Sequence, residues 1–169
     1  NQHIKVNENG QTNIDNIYAV GDVTGPPWLA HVSSSEGLYV VEYIANLNPK
    51  KIDYDCIPAC IYSKPEIGSI GFDQKALDDK GINYKIAKSF FNANGRAVAS
   101  SSTDGFIKIL VSDDNLILGA HIIGSNATEM ISEFSLAMNN QLTVENILGS
   151  VHPHPTFSEA IFETLMQLK

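Results

Sequence analysis

The apolar residues of the first 50 positions fall into short runs and one helical stripe. Runs at 4–6 and 17–21 have the length of short strands, and Asn9-Gly10 between them is typical of a hairpin turn. Ser33 and Glu36 have the spacing of a capping box, which predicts that a helix opens there. The helix should end by Pro49, because the residue before a proline avoids helical backbone angles. These elements are too few to close a core of their own.

From residue 51 onward the pattern predicts more strands and several helices. Strands are expected at 57–62, 67–71, 84–90, 106–111 and 116–123. Helices are expected at 74–80, 127–139 and 144–148, and from about 158 to 168. Gly81 is a suitable residue to end the first of these helices, and Asn126 a suitable residue to cap the second. Because the strands are grouped and the longer helices come late, residues 51–169 are expected to form an α+β domain.

Composition and charge exclude several classes of function. Apolar residues make up 43% of the 169 positions, which is enough for a core. The 19 acidic residues exceed the 11 basic ones, giving a net charge of −8, so a basic nucleic-acid-binding surface is not expected. No apolar run approaches the ~20 residues of a membrane span, and the opening residues lack a secretory signal. We expect a cytoplasmic protein, and the missing initiator Met suggests a piece of a longer gene product.

The two cysteines, Cys56 and Cys60, do not form a disulphide framework. Their segment is predicted to be extended, and residues four apart on a strand lie roughly 13 Å from each other. A disulphide needs Cα atoms within about 7 Å. We expect two small, reduced core residues.

A first candidate site follows the apolar run that ends at Gly21. Gly allows close approach of a ligand or another backbone, and the carboxylate of Asp22 is suited to accepting hydrogen bonds from ribose-like hydroxyls. The helix that comes next offers free N–H groups at its N-terminus. The motif alone also fits an ordinary turn, and both interpretations stay open.

A second candidate site is HPHPTFSE at residues 152–159. A zinc site on His152 and His154 is possible, but proline geometry points the two rings apart and no third ligand is near in sequence. General acid–base chemistry fits better, because histidine exchanges protons near neutral pH and Glu159 can hold the other ring nitrogen. Glu159 also fits a capping box with Thr156, and one carboxylate can serve both roles.

The chain resembles the FAD-dependent pyridine-nucleotide disulfide oxidoreductases, and among them the dihydrolipoamide dehydrogenases. The motifs that carry this resemblance are TNIDNIYAVGD at 12–22, Leu29-Ala30-His31, Glu36-Gly37, YSKPEIGSIG at 62–71, NGRA at 94–97, TDGFIK at 103–108 and HPHPTFSE at 152–159. Each motif is modest alone, but their order is specific. The resemblance implies an interface (dimerisation) domain at residues 51–169, preceded at 1–50 by the C-terminal tail of an FAD-binding domain.

The resemblance also implies an activity and a set of site residues. The activity is oxidation of dihydrolipoamide with reduction of NAD, by a homodimer that serves lipoyl domains of 2-oxoacid dehydrogenase or glycine cleavage complexes. His154 would be the proton acceptor and Glu159 its partner. Asp22 would bind the ribityl chain of FAD, and the main chain of Trp28, Leu29, Ala30 and His31 would line the flavin. Trp28 stands where the family more often has Met.

Other family motifs are absent from these 169 residues: the GxGxxG motif, the C-x4-C redox disulphide and the NAD-binding domain. We therefore expect the isolated chain to bind no cofactor and to be inactive. Alternatives are the same part of a glutathione or mercuric reductase, a non-catalytic assembly module, and a metal-binding domain on His152 and His154.

Overall fold

The chain divides into two compact units, one ending at Tyr54 and one spanning Asp55–Lys169. The computed structural model on which this description rests describes residues 2–169. The sequence places the boundary after residue 50, and the domain identities of the two parts stay a proposal.

The first unit contains a helix, α1 (Ala30–Ile44), and a short 3-10 turn at Gly21–Thr24. The strands expected at 4–6 and 17–21 are wrong. The two runs do not pair with each other. The Ile4 N–H donates to the carbonyl of Val23, and the Ala19 N–H donates to the carbonyl of Gly10, so no continuous ladder forms. Outside the named strands, this region forms a single bridge between Gln11 and Tyr18 among the residues described.

The capping box expected at the start of α1 is also wrong. The helix begins at Ala30, three residues earlier, so Ser33 lies inside it. The Ser33 hydroxyl donates to the Leu29 carbonyl at 3.3 Å, a common bond for an interior serine. The Glu36 carboxylate accepts a hydrogen bond from the Gly21 N–H at 2.7 Å. Glu36 therefore secures the turn before the helix and not the end of the helix itself.

The second unit is built on an antiparallel sheet. Its strands are β1 (Ala59–Ile61), β2 (Glu66–Gly71), β3 (Lys85–Phe90), β4 (Phe106–Val111) and β5 (Ile117–Gly124). They lie in the order β1-β2-β5-β4-β3. The helices are α2 (Gln74–Lys80), α3 (Gly95–Ala99), α4 (Ala127–Asn139), α5 (Val144–Leu148) and α6 (Glu159–Leu165). The α+β expectation is confirmed.

The core of the second unit lies between the sheet and the later helices. Helix α4 packs on β2 and β5, and α6 packs on β3 and β4. Apolar side chains of the strands and the two helices meet there, together with Phe91 of the turn after β3. The largest fully buried members of this core are Phe91, Ile107, Ile109, Ile122, Ile131, Phe134, Ile161 and Leu165. On the other face of β4, Lys108 donates to Gln74 of α2 at 3.1 Å.

Helix α4 has the expected bounds but a different cap. Asn126 has a left-handed backbone (φ 61°) and its side chain caps nothing. Glu66, the first residue of β2, accepts instead from the N–H and the hydroxyl of Thr128, at 3.1 and 2.8 Å. A residue 62 positions away therefore satisfies the first turn of the helix. None of the helices within residues 2–169 is long and apolar enough to cross a membrane.

Candidate active site

The candidate site lies on the loop between α5 and α6, residues 149–158. Its C-terminal part is fixed to the core: the Phe157 ring packs edge-on against Phe91, with 5.9 Å between the ring centroids. Asn94, which is buried, donates from its side-chain amide to the Thr156 carbonyl at 3.1 Å. The loop is therefore held by α3 and the core immediately after His154.

His154 and Glu159 form a pair. The Nδ1 atom of His154 lies 2.8 Å from Oε1 of Glu159. The second carboxylate oxygen of Glu159 accepts from the Thr156 N–H, also at 2.8 Å. These two bonds hold the pKa of the Glu159 carboxyl below its usual range. The Thr156 N–H makes the larger contribution and His154 the smaller. Both contacts expected of the Glu159 carboxylate, to the His154 ring and to the Thr156 N–H, are therefore present.

The capping box expected at Thr156 is only half formed. The Thr156 hydroxyl donates to the Pro153 carbonyl at 2.7 Å and does not accept from the helix. Helix α6 starts at Glu159, with Ser158 before it in helical conformation. Glu159 therefore closes the loop more than it caps the helix.

The two members of the pair differ in exposure. The His154 side chain is 78% exposed, and that of Glu159 is 22% exposed. Within residues 2–169, the Nε2 atom of His154 has no hydrogen-bond partner. Because a carboxylate accepts at Nδ1, a neutral ring carries its proton there and presents the Nε2 lone pair outward. This arrangement suits a general base that takes a proton from a group outside the unit.

His152 faces the other way. Its Nε2 lies 3.0 Å from Oε1 of Glu133 on α4, and its Nδ1 lies 3.2 Å from the Ser150 carbonyl. Each histidine of the motif thus has its own carboxylate partner. Among the described residues, no three His, Cys, Asp or Glu side chains are grouped as a metal site would require.

The first candidate site, at Gly21 and Asp22, is a fixed turn. Gly21 is buried at φ +76°, and a Cβ on it would lie 2.7 Å from the Ser33 hydroxyl, so a side chain does not fit. Glu36 accepts from Gly21 with one oxygen and from the Tyr54 hydroxyl, at 2.7 Å, with the other. The pKa of Tyr54 is raised to about 12, mainly by burial and in smaller part by its hydrogen bond to Glu36.

The remaining residues of the first site are open to solvent. Asp22, Ala30 and His31 are exposed, Leu29 is half-buried, and the Trp28 side chain is 62% exposed. Asp22 makes no side-chain hydrogen bond in the part of the chain described, and the Ala30 N–H at the start of α1 has no backbone partner there. A free carboxylate and a free helix N–H fit a cofactor that carries hydroxyl groups.

Neither Cys56 nor Cys60 forms a disulphide in the part of the chain that the structure describes. Cys56 is buried, and Cys60 on β1 has its sulphur 3.9 Å from the Thr128 carbonyl. Burial raises the pKa of the Cys60 thiol, which makes it a poor nucleophile. The prediction that this pair is not a disulphide is confirmed.

The sequence did not point to Glu133, Asn94 or Glu36 as supports of these sites. Glu133 and His152 are 19 positions apart, and Asn94 and Thr156 are 62 apart. No local spacing rule connects such pairs. A possible signal was that Glu133 follows Glu129 by one helical turn with no basic partner beside it.

Comparison with known families gives two matches. Residues 57–165 match the family described as pyridine nucleotide-disulphide oxidoreductase, dimerisation domain. Residues 1–37 match the family described as pyridine nucleotide-disulphide oxidoreductase. The first match covers more than half of the chain and includes the whole His154 loop.

Curated relatives carry the name dihydrolipoyl dehydrogenase. One from Bacillus subtilis is 46% identical over 167 residues, which are 98% of this chain and 35% of the relative. One from Geobacillus stearothermophilus is 44% identical over 95% of this chain and 34% of the relative. The mitochondrial protein of Homo sapiens is 44% identical over 95% of this chain and 31% of the relative. The chain thus spans about a third of the length of these relatives.

Solved structures agree with these matches. LpdA from Mycobacterium tuberculosis superposes with a TM-score of 0.93 at 25% identity, over 99% of this chain and 37% of that one. The flavoprotein disulfide reductase RclA from Escherichia coli has the same fold, with a TM-score of 0.88. Its sequence is 23% identical, and the match covers 99% of this chain and 39% of RclA. The resemblance found in the sequence is confirmed, and the chain belongs to the pyridine nucleotide-disulphide oxidoreductase family.

Proposed function

We propose that this chain supplies the dimer interface and the proton-transfer pair of a dihydrolipoyl dehydrogenase. Such an enzyme oxidises the dithiol of dihydrolipoamide and reduces NAD. The observation that carries the proposal is the contact between His154 and Glu159, which leaves Nε2 of an exposed ring free. The names of the relatives supply the substrate class.

In this proposal, His154 receives a proton from one thiol of the substrate at Nε2. The S–H bond breaks, its electron pair stays on sulphur, and the resulting thiolate is the nucleophile. Glu159 keeps the ring oriented through Nδ1 and stabilises the imidazolium that forms. The Thr156 N–H holds the carboxylate in place.

Cofactor binding belongs to the first part of the chain in this proposal. FAD supplies two-electron redox chemistry when bound, and Asp22 with the main chain of Trp28, Leu29, Ala30 and His31 would hold it. NAD would bind elsewhere in the complete enzyme. Residues 1–50 would then be the tail of an FAD-binding domain and residues 51–169 the dimerisation domain, in keeping with the two family matches.

We further propose a homodimer whose partners are lipoyl domains of 2-oxoacid dehydrogenase or glycine cleavage complexes. The dimerisation-domain match supports the homodimer. Location in the cytoplasm stays a prediction, since the relatives include mitochondrial proteins beside bacterial ones. A glutathione or mercuric reductase is the runner-up, and the names of the relatives favour the lipoyl enzyme.

The direct test is His154→Gln in the complete enzyme. The rate at which dihydrolipoamide reduces the enzyme in a single turnover should fall by roughly 10²–10⁴, the usual scale for a general base. Flavin content should not change, because His154 is not in the cofactor site. Glu163→Gln, one turn after Glu159 on α6, is the control and should react at the normal rate. A His154→Gln enzyme as fast as this control would show that the proposed function is wrong.

A further inference from the structure

The loop that carries His154 is held on both sides, and the support on its N-terminal side has no role in the proposed proton transfer. Two positions before His154, the His152 side chain is only 9% exposed, in contrast to 78% for His154. The His152 ring packs at 5.9 Å from the ring of Phe162, on the same helix as Glu159. A histidine buried in this way fixes the path of the chain toward the residue that reacts.

Glu133 is the partner that holds the His152 ring. It lies on α4, whose opposite face is packed into the core, and its side chain is 32% exposed. Both ring nitrogens of His152 face acceptors: the Glu133 carboxylate at Nε2 and the Ser150 carbonyl at Nδ1. The ring is therefore held at both nitrogens, and Glu133 is the one of these two acceptors that is a side chain.

We propose that Glu133 and His152 form a positioning pair, which sets the place of the His154 ring relative to Glu159. The pair acts through Pro153, which joins the two histidines. The Pro153 carbonyl accepts a hydrogen bond from the Thr156 hydroxyl. His154 itself has a hydrogen bond only to Glu159 among the described residues, so its position depends on the loop. This inference rests on the proposed function of His154.

The first test uses kinetics of the complete enzyme. Glu133→Ala should slow reduction by dihydrolipoamide up to about 100-fold, the cost of misplacing a catalytic group by the order of an ångström. Flavin content should stay normal. Glu133→Gln should recover part of the rate, because an amide oxygen still accepts from the ring. Glu129→Ala removes the same charge from the same helix one turn earlier and should leave the rate unchanged.

A double variant separates positioning from a general structural effect. If Glu133 acts through His154, then Glu133→Ala should add little to the loss already caused by His154→Gln. An equal slowing in both backgrounds would overturn the proposal. If His154→Gln slows the same reaction, a Glu133→Ala enzyme as fast as Glu129→Ala would overturn it too.

A measurement on the chain itself distinguishes failure of this inference from failure of the proposed function. ¹⁵N NMR of the imidazole rings should show the proton of neutral His154 on Nδ1, facing Glu159, in the unaltered chain. In Glu133→Ala this preference should weaken toward a mixture of tautomers. An unchanged His154 spectrum would overturn the positioning role. If the spectrum changes but His154→Gln is fully active, the proposed function is wrong and the positioning role stands.

Discussion

Glu159 serves two partners with its two carboxylate oxygens, and the sequence revealed both. The T-x-x-E spacing indicated a bond to the Thr156 N–H, and the nearby His154 indicated a bond to the ring. Both follow from residues within five positions, where backbone geometry limits the arrangements. Glu133 shows the opposite case, because its partner His152 lies on a loop 19 positions away and no local pattern connects the two.

The two bonds to Glu159 predict its titration. Because both donors favour the charged form, the pKa of Glu159 should lie below the ordinary glutamate value of about 4.3. The stability that Glu159 contributes should therefore be fully present above that value and lost as the pH falls through the lowered pKa. NMR titration of the carboxyl carbon measures this directly.

The order of the two causes can be tested with the same titration. In His154→Gln the pKa of Glu159 should rise but stay below the ordinary value, because the Thr156 N–H makes the larger contribution. A return to the ordinary value in that variant would mean that the histidine, and not the backbone, is the dominant cause.

Helices and strands of the second unit were largely predictable. The bounds of α2, α4 and α5 match the expected ranges, since α4 has a periodic apolar stripe and α2 and α5 are each followed by a glycine, Gly81 and Gly149. Caps were less predictable. Both Asn126 and Ser33 have suitable side chains in suitable positions, yet Glu66 caps α4 and Ser33 lies inside α1. The capping residue therefore depends on which side chain the tertiary structure places next to the free N–H groups.

The cap on α4 yields a stability prediction. Glu66→Ala should lower the free energy of unfolding by about 1 kcal/mol, the typical cost of losing an N-terminal cap. Glu66→Gln should cost less, because its amide oxygen still accepts from Thr128 and only the charge at the positive helix end is lost. Urea unfolding of the chain measures the differences.

The matched control for this cap is Glu129→Ala. Glu129 is also acidic and in the first turn of α4, but it makes no side-chain hydrogen bond in the described part of the chain. Equal losses for Glu66→Ala and Glu129→Ala would show that only the helix charge matters and that the two bonds from Thr128 contribute nothing.

At the scale of the whole molecule, the structure of the first unit was harder to predict from the sequence than that of the second. Its short apolar runs have the pattern of strands, but within the described residues their backbone bonds do not form a continuous ladder, and Gly21 begins a 3-10 turn. The second unit contains its own sheet, helices and core, and local patterns were sufficient to predict its class. Under the proposed function, the exposed ring of His154 would take a proton at Nε2 from a group outside this unit.

In a dimer, that outside group would belong to the other subunit, as the resemblance implies. The prediction is tested in the complete enzyme with two inactive variants, His154→Gln and one lacking the redox cysteines. When the two are mixed under conditions in which dimers exchange, a heterodimer should contain one intact site, and activity should return. At equal amounts, about half of the dimers are mixed, so roughly a quarter of normal activity is expected from this counting. Mixed dimers that form, as shown by different tags, but stay inactive would mean that His154 acts within its own chain.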